Sequence, residues 1–223
     1  GRSKVYLGKW KDVNVALKQC TGSSWELQNE AAVLRKLISP NIVQFYSMVV
    51  DSEDRSKYIY MMEEWCESNL YEALRDNDNE EWLTYVKRID ILKCIASALE
   101  RVVEGGLFHG DVKSVNIMLK AGEPKLCDFG TAFFMRESNY EEVLVIATPL
   151  WASPEVTFHN WRVGGSRGDY HGSIKFRDVI QYPQFVDVFS FAIVMYEVFV
   201  GLPYQELIDR NFPLIYIQDK VAT

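Results

Sequence analysis

The chain has 223 residues, and 48% of them are apolar, which is enough to bury the core of one large domain or of two packed lobes. The net charge of −7 argues against a general nucleic-acid binder, and four cysteines without C-x-x-C spacing argue against a zinc or disulfide framework. Unpaired cysteines fit a reducing, cytoplasmic location. The longest apolar stretch contains Asp187 and Glu197, so we expect no membrane insertion.

The first part of the chain predicts a small antiparallel sheet with one helix. Apolar and polar residues alternate in the strand segments, whereas the helix has apolar residues at helical spacing and ends at Ser39-Pro40-Asn41. The predicted order is a strand hairpin at 5–10 and 13–18, a helix at 24–38, and strands at 42–50 and 58–62.

The remainder of the chain predicts mostly helices. They are expected at 70–75, 86–104 and 186–200, with a last helix and a tail within 203–223. We therefore predict an α+β, bilobal fold: an antiparallel-sheet lobe to about residue 63, a hinge at about 63–67 and a larger, mostly helical lobe at about 68–223. The stretch at about 157–181 contains several glycines and is predicted to be a flexible insertion.

Two polar motifs follow the long predicted helix. The first, His109-Gly110-Asp111-Val112-Lys113-Ser114-Val115-Asn116, brings a carboxylate, an ammonium and an amide together. The second, Lys125-Leu126-Cys127-Asp128-Phe129-Gly130, places another carboxylate at a strand end. Each motif alone could be a polar turn.

These strings, in this order, resemble the signature motifs of the eukaryotic protein kinases along the whole chain. The matching segments are Val15-Ala16-Leu17-Lys18, the two polar motifs above, Thr148 to Glu155 at the end of an activation segment, and Asp187 to Ala192 on a buried helix. The resemblance implies a bilobal protein-kinase-like fold. It also implies that the chain starts within a glycine-rich loop, with Ser3 at the third glycine, and ends before the last helices of the family.

The resemblance implies four catalytic residues. Lys18 would bind the α- and β-phosphates of ATP, and Glu30, rather than the competing Glu26, would hold its ammonium. Asp111 would accept the proton of the attacking hydroxyl. Lys113 would stabilise charge on the transferring phosphoryl group.

The implied cofactors are ATP and Mg²⁺, with Asn116 and Asp128 as metal ligands. The gatekeeper, the residue at the back of the nucleotide pocket, stays open between Met62 and Glu63; a gap-free match favours Met62 and puts Glu63 on the hinge. The nucleotide contacts implied by the resemblance are Val5, Ala16, Lys18, Met62, Glu63, Asn116, Met118 and Asp128.

Several residues resemble those of Ser/Thr kinases, and of the tyrosine-kinase-like group in particular. Lys113 and Ser114 follow Asp111, Thr148 would bridge Asp111 and Lys113, and Trp151 stands in the activation segment. A protein substrate is implied, and regulatory domains would flank this chain. The family also stacks four side chains through both lobes, here Leu34, Phe45, His109 and Phe129; Asp187 would hold the catalytic-loop backbone.

Three departures from the family keep a second interpretation open. Gly110 replaces an arginine that pairs with an activation-loop phosphate in most regulated kinases, so we hypothesise that activity does not require that phosphate. Ser3 and Ser153 replace a glycine and an alanine. The alternative is a pseudokinase acting as a nucleotide-binding scaffold or allosteric partner, and a third is a kinase-like enzyme acting on small molecules. The intact set of catalytic residues favours a protein kinase.

Overall fold

The computed structural model describes residues 4–21, 25–50, 58–76, 83–134, 148, 150–154, 156 and 184–209. The described chain forms a sheet region with one helix, followed by a region of helices and short strand pairs. This arrangement agrees with the predicted α+β class. The predicted insertion at 157–181 and the tail after residue 209 lie outside the described residues.

The first region is an antiparallel sheet with the strand order β1-β2-β4-β3. Lys11 and Asp12 join the first two strands with φ angles of 49° and 66°, as a two-residue hairpin turn requires. The predicted strand at 42–50 begins later, because Ile42 makes a parallel bridge to Leu126 instead of joining this sheet. The strands are β1 Lys4–Trp10, β2 Val13–Thr21, β3 Phe45–Val50 and β4 Tyr58–Glu64.

Helix α1, Trp25–Lys36, lies between β2 and β3 in the chain. Its buried residues Ala31, Val33 and Leu34 belong to one apolar core that also contains Met61 of β4 and Phe129 of the second region. The helix is therefore held between the sheet and the segment that follows Leu126. This packing places Glu30, 2% exposed, on the buried side of the helix.

The second region is mostly helical, as predicted. Asn69 and Thr84 cap two of its helices, because their side chains accept hydrogen bonds from the backbone N–H groups of Glu72 and Lys87. Its elements are β5 Ser68–Asn69, α2 Leu70–Arg75, α3 Tyr85–Glu104, β6 Leu107–Phe108, β7 Ile117–Lys120, β8 Glu123–Leu126, β9 Phe133–Phe134, α4 Gln184–Val200 and α5 Tyr204–Asp209. No helix within the described ranges is both long and apolar enough to cross a membrane.

Helices α3 and α4 form the centre of this region. Ile95 and Val102 of α3 share the apolar core with Val194 and Val198 of α4, and all four are nearly inaccessible. Arg88 joins the helix ends: its guanidinium donates to the carbonyl of Val198, to that of Phe199 at 2.8 Å and, through Nε, to that of Leu83 at 3.0 Å. The bonds to Val198 and Phe199 satisfy carbonyls that the end of α4 leaves without intrahelical partners.

We expect Arg88→Ala to destabilise the folded chain, since carbonyls at the end of α4 would lose their donors. The expected cost is about 1–3 kcal/mol of unfolding free energy. Thermal unfolding should then show a Tm lower by about 2–4 °C for each kcal/mol lost. Arg101→Ala is the matched control, because the pair that Arg101 forms with Glu104 is exposed and its loss should change stability little. An equal loss in both variants would contradict this role of Arg88.

Candidate active site

One face of the sheet carries four of the eight predicted nucleotide contacts. Val5 pairs with Lys18 across β1 and β2, and Ala16 pairs with Glu63 across β2 and β4. Side chains directly opposite each other in a sheet point to the same side, and successive side chains alternate. Val5, Ala16, Lys18 and Glu63 therefore share a face, called the cleft face here. Met61, opposite Lys18, lies on it and belongs to the core that contains α1.

Met62 lies on the opposite face of the sheet, so its prediction as a nucleotide contact and as gatekeeper is wrong. It pairs with Leu17, whose side chain points away from those of Ala16 and Lys18. The gap-free match shifts the alignment by one residue, and a shift of one residue in a strand reverses every side chain. Glu63 occupies the cleft-face position instead, next to Ala16.

The predicted pair of Lys18 and Glu30 is present. The ammonium Nζ donates to both carboxylate oxygens of Glu30, at 2.8 and 2.7 Å, and to Oδ1 of Asp128 at 2.9 Å. Burial lowers the pKa of Lys18, but the carboxylates of Glu30 and Asp128 outweigh it and raise that pKa above its ordinary value. Lys18 thus stays charged and can neutralise phosphate oxygens.

Asp128 stands at the mouth of this cluster. Its backbone is left-handed, with φ 61° and ψ 68°, and the next residue, Phe129, is fully buried. The Asp128 side chain is 48% exposed. Burial of its inner part raises the pKa of Asp128, but the Lys18 ammonium lowers it more, so the pKa lies below its ordinary value. The carboxylate is therefore ionised and accessible to a cation.

Asp111 is the hub of the second motif. Lys113 Nζ donates to Asp111 Oδ2 at 2.6 Å, and Thr148 Oγ1 donates to Asp111 Oδ1 at 2.6 Å. Lys113 Nζ also donates to Thr148 Oγ1 at 2.6 Å. Thr148 therefore bridges Asp111 and Lys113, as predicted, and connects the loop to a segment 37 residues further along the chain.

The backbone before Asp111 is held by a buried carboxylate. Asp187 of α4 accepts hydrogen bonds from His109 N at 2.6 Å and Gly110 N at 2.8 Å, which is its predicted role. Gly110 has a φ of +81°, and a Cβ there would lie 3.1 Å from the carbonyl oxygen of Thr131. A glycine fits this position without strain, whereas any other residue would be strained.

Three of the four side chains that the resemblance predicts to stack lie within or against the apolar core. Leu34 and Phe129 belong to the core, and Phe45 packs against it. The rings of His109 and Phe129 meet edge to face, with centroids 4.7 Å apart. His109 Nε2 also contacts the carbonyl oxygen of Cys127 at 2.9 Å, so this stack connects the two polar motifs.

Asn116 and Asp128 fit the magnesium ligands that the resemblance implies. Asn116 uses its amide nitrogen as donor to the backbone oxygen of Asp111 at 2.8 Å, which leaves its amide oxygen as an acceptor. Asp128 supplies an ionised carboxylate. In the part of the chain described, no three His, Cys, Asp or Glu side chains cluster as a metal site. Mg²⁺ needs only one or two such protein oxygens beside phosphate and water, so the donor set is suitable.

The segment that connects the two regions is fixed by a cluster that the sequence did not predict. Glu64 accepts hydrogen bonds from Lys120 at 2.6 Å and lies 3.1 Å from Lys125. Burial raises the pKa of Glu64, but the two lysines lower it below its ordinary value. Met118, a predicted nucleotide contact, is two residues from Lys120 on β7 and so points to the same side, towards this segment.

Glu63, the neighbour of Glu64, makes no comparable ion pair with the residues that the structure describes. It is 8% exposed, and its Oε1 has no hydrogen-bond partner among the described residues. Burial, followed by the negative charge of Glu30, raises the pKa of Glu63 to about 8. The side chain therefore carries a proton at neutral pH for most of the time.

The comparisons with known proteins agree on a family. Residues 1–212 match the family model described as Protein kinase domain. The chain is 31% identical over 217 residues to the RAF proto-oncogene serine/threonine-protein kinase of Xenopus laevis, covering 93% of this chain and 30% of that protein. It is 28% identical over 178 residues to the serine/threonine-protein kinase TIO of Arabidopsis thaliana, covering 79% of this chain and 11% of that protein. The chain thus spans a third or less of these relatives.

A solved structure supports the fold. The crystal structure of the yeast RNA Pol II CTD kinase CTDK-1 complex contains a chain that superposes with a TM-score of 0.70 at 21% identity, covering 89% of this chain and 59% of that chain. At this identity the likeness concerns the fold alone. It confirms the predicted bilobal, kinase-like α+β fold.

We expect Glu63→Gln to stabilise the folded chain increasingly as the pH rises from about 4.5 to 8. In that window the unfolded chain loses the Glu63 proton while the folded chain keeps it, so rising pH removes stability from the natural protein. Gln has no proton to lose. Thermal unfolding at several pH values should show a gain of the order of 1–2 kcal/mol at pH 8 and a smaller one near pH 4.5.

Asp90→Asn is the control for this titration, since the Asp90 carboxyl is 52% exposed on α3. Its effect on the Tm should be small, as for other exposed surface substitutions. A pH-independent effect of Glu63→Gln would show that Glu63 is ionised in the folded chain.

Proposed function

The chain belongs to the protein kinase domain family, and from that premise we propose that it transfers the γ-phosphoryl group of Mg-ATP to serine and threonine hydroxyls of protein substrates. The observation that carries the proposal is the juxtaposition of two clusters. Lys18, Glu30 and Asp128 form one, and Asp111 and Lys113 form the other, joined by the stack of His109 on Phe129.

The chain's own residues would divide the chemistry between them. Lys18, held by Glu30, would neutralise the α- and β-phosphates, and Asn116 and Asp128 would hold Mg²⁺, which supplies charge neutralisation when bound. Asp111 would accept the proton of the substrate hydroxyl as its oxygen attacks the γ-phosphorus. The bond from that phosphorus to the β,γ-bridging oxygen breaks, and ADP leaves with the bonding electrons.

The geometry around Lys113 supports serine and threonine as acceptors. Lys113 contacts both Asp111 and Thr148 at 2.6 Å, so its ammonium stands where charge develops on the transferring group. The serine/threonine-protein kinases among the relatives support the same specificity. We also assign the chain to the tyrosine-kinase-like group, with the hinge at about 63–67, and to the cytoplasm; the described cysteines Cys66, Cys94 and Cys127 are unpaired.

The second candidate is a pseudokinase that binds nucleotide as a scaffold. Its support is the Gly110 and Ser153 substitutions, and Ser153 Oγ is buried without a hydrogen-bond partner among the described residues. However, among the described residues Asp111 accepts five hydrogen bonds that orient its carboxylate and carbonyl. A binding-only protein has no need for a carboxylate oriented in this way, which favours the enzyme.

We expect Asp111→Asn to lower kcat for transfer of radiolabelled phosphate to a protein or peptide substrate by about 10²–10⁴-fold, because the base is lost. The KM for ATP should change little, since Asp111 does not contact the nucleotide in the proposed arrangement. Asp90→Asn, an exposed carboxylate on α3, should keep full activity. Nucleotide binding without transfer in the natural protein would favour the scaffold.

We propose that activity does not require a phosphate on the activation segment, because Gly110 provides no guanidinium to bind one. Thr131 Oγ1 already donates to the His109 carbonyl at 3.1 Å, so a direct contact holds the start of that segment. Phosphatase treatment, or Ser138→Ala with Tyr140→Phe outside the described residues, should leave kcat within about twofold. Loss of activity after phosphatase treatment would contradict the proposal.

A further inference from the structure

Glu63 and Glu64 are adjacent in the chain but differ in their surroundings. Both are 8% exposed. Glu64 contacts two lysines, Lys120 and Lys125, and receives the backbone N–H of Gln44 at 3.3 Å. Glu63 points to the other face of β4, and its Oε1 contacts no donor in the described part of the chain. A buried oxygen without a donor is costly to keep, so a ligand donor is the natural partner to look for.

The neighbours of Glu63 within the sheet are apolar. Glu63 pairs with Ala16 on β2 and with Phe45 on β3, so the three side chains form one row on the cleft face. Neither neighbour carries a side-chain donor. The next row along the strands contains Lys18 opposite Met61. The Lys18 ammonium contacts Glu30 and Asp128, at 2.7 and 2.9 Å.

The position of Lys18 fixes how a nucleotide would lie against these rows. Two residues along a strand cover about 7 Å, so Ala16 and Glu63 lie about that far from the row of the phosphate-binding ammonium. Ala16 is a predicted nucleotide contact, so in the proposed arrangement a nucleotide whose α- and β-phosphates contact Lys18 would have its base beside Ala16. Glu64, immediately after Glu63, is the last residue of β4, and the segment that follows it connects the two regions. The Glu63 carboxyl is then level with an edge of the base.

We propose that the Glu63 carboxyl accepts a hydrogen bond from the amino group at position 6 of the adenine base, and that it makes the cleft selective for 6-aminopurine nucleotides. This inference rests on the proposed nucleotide-binding function and names the group that selects the base. This hydrogen bond can form whether or not the Glu63 carboxyl is protonated. The neutral acid keeps a carbonyl oxygen as acceptor, and the carboxylate has two acceptor oxygens. The raised pKa of Glu63 is what burial beside Glu30 produces before a donor arrives.

The decisive comparison is between ATP and purine riboside 5′-triphosphate, which lacks only the amino group at position 6. Dissociation constants for both are measured by titration calorimetry with Mg²⁺ present, and their ratio is the readout. We expect Glu63→Leu to reduce the preference for ATP by about tenfold, and Glu63→Gln, whose amide keeps an acceptor oxygen, to stay within about threefold of the natural protein. Tyr60→Phe, on the opposite face of β4, should leave the ratio unchanged.

Each result decides the question. If Glu63 acts only through its charge near Lys18, the two neutral variants shift binding of both nucleotides alike, and the unchanged ratio overturns the proposal. A ratio for Glu63→Leu within about twofold of the natural protein also overturns it. Glu63→Met takes the place of Glu63→Leu if the latter does not fold. Selective binding without phosphoryl transfer leaves this inference standing and overturns the proposed activity; no binding of either nucleotide overturns both.

Discussion

The buried ammonium of Lys18 connects three separate parts of the chain. It belongs to β2, it contacts Glu30 of α1 at 2.7 Å, and it contacts Asp128, which follows β8, at 2.9 Å. A buried charge must be compensated, and removal of one partner from such a cluster leaves a costly unpaired charge. The cluster therefore fixes the position of α1 relative to both regions. Phe129, adjacent to Asp128, packs into the same core as α1. Its ring also contacts the ring of His109, so the position of His109 depends on the same packing.

A second buried carboxylate, that of Asp187, fixes the backbone of the loop that contains Asp111. Asp187 accepts the backbone N–H groups of His109 and Gly110, and the positive φ of Gly110 turns the chain so that Asp111 faces Lys113 and Thr148. The Gly110 substitution therefore has two consequences at one residue. It removes a side chain that could bind a phosphate. It also lets the backbone adopt a positive φ angle without the strain that other residues would have there.

The sequence predicted those parts of the site whose residues are close in the chain or belong to one motif. Asp111, Lys113 and Asn116 lie within a single loop, and the resemblance favoured Glu30 over Glu26 by its distance to the segment that ends the helix. The prediction of Met62 as gatekeeper was wrong because a sequence match does not specify which face of a strand a residue occupies. The pairing of Ala16 with Glu63 in the sheet specifies it.

The contacts of Asp187 and Thr148 with the catalytic loop were implied by the family motifs, but other buried polar contacts between distant segments had no pattern that a single sequence reveals. Glu197 of α4 accepts hydrogen bonds from Ser114 Oγ at 3.0 Å and from the backbone of Tyr204 at 2.8 Å, and burial raises its pKa to about 7. In the sequence it is one glutamate within an apolar helix. Likewise Glu64 meets Lys120 from 56 residues away. Such pairs depend on the packing of the two regions, and no local spacing encodes them.

The contrast between Glu63 and Glu64 shows where the fold departs from the rule that buried polar groups are paired. Glu64 follows the rule, and its lysines stabilise the connecting segment. Glu63 departs from it beside Ala16, and an apolar residue there would avoid the desolvation of a carboxyl group. Departures of this kind are expected at functional sites, where a ligand completes what the protein leaves unsatisfied. The location of Glu63 one row from Lys18 makes the base of a nucleotide the group best placed to do so.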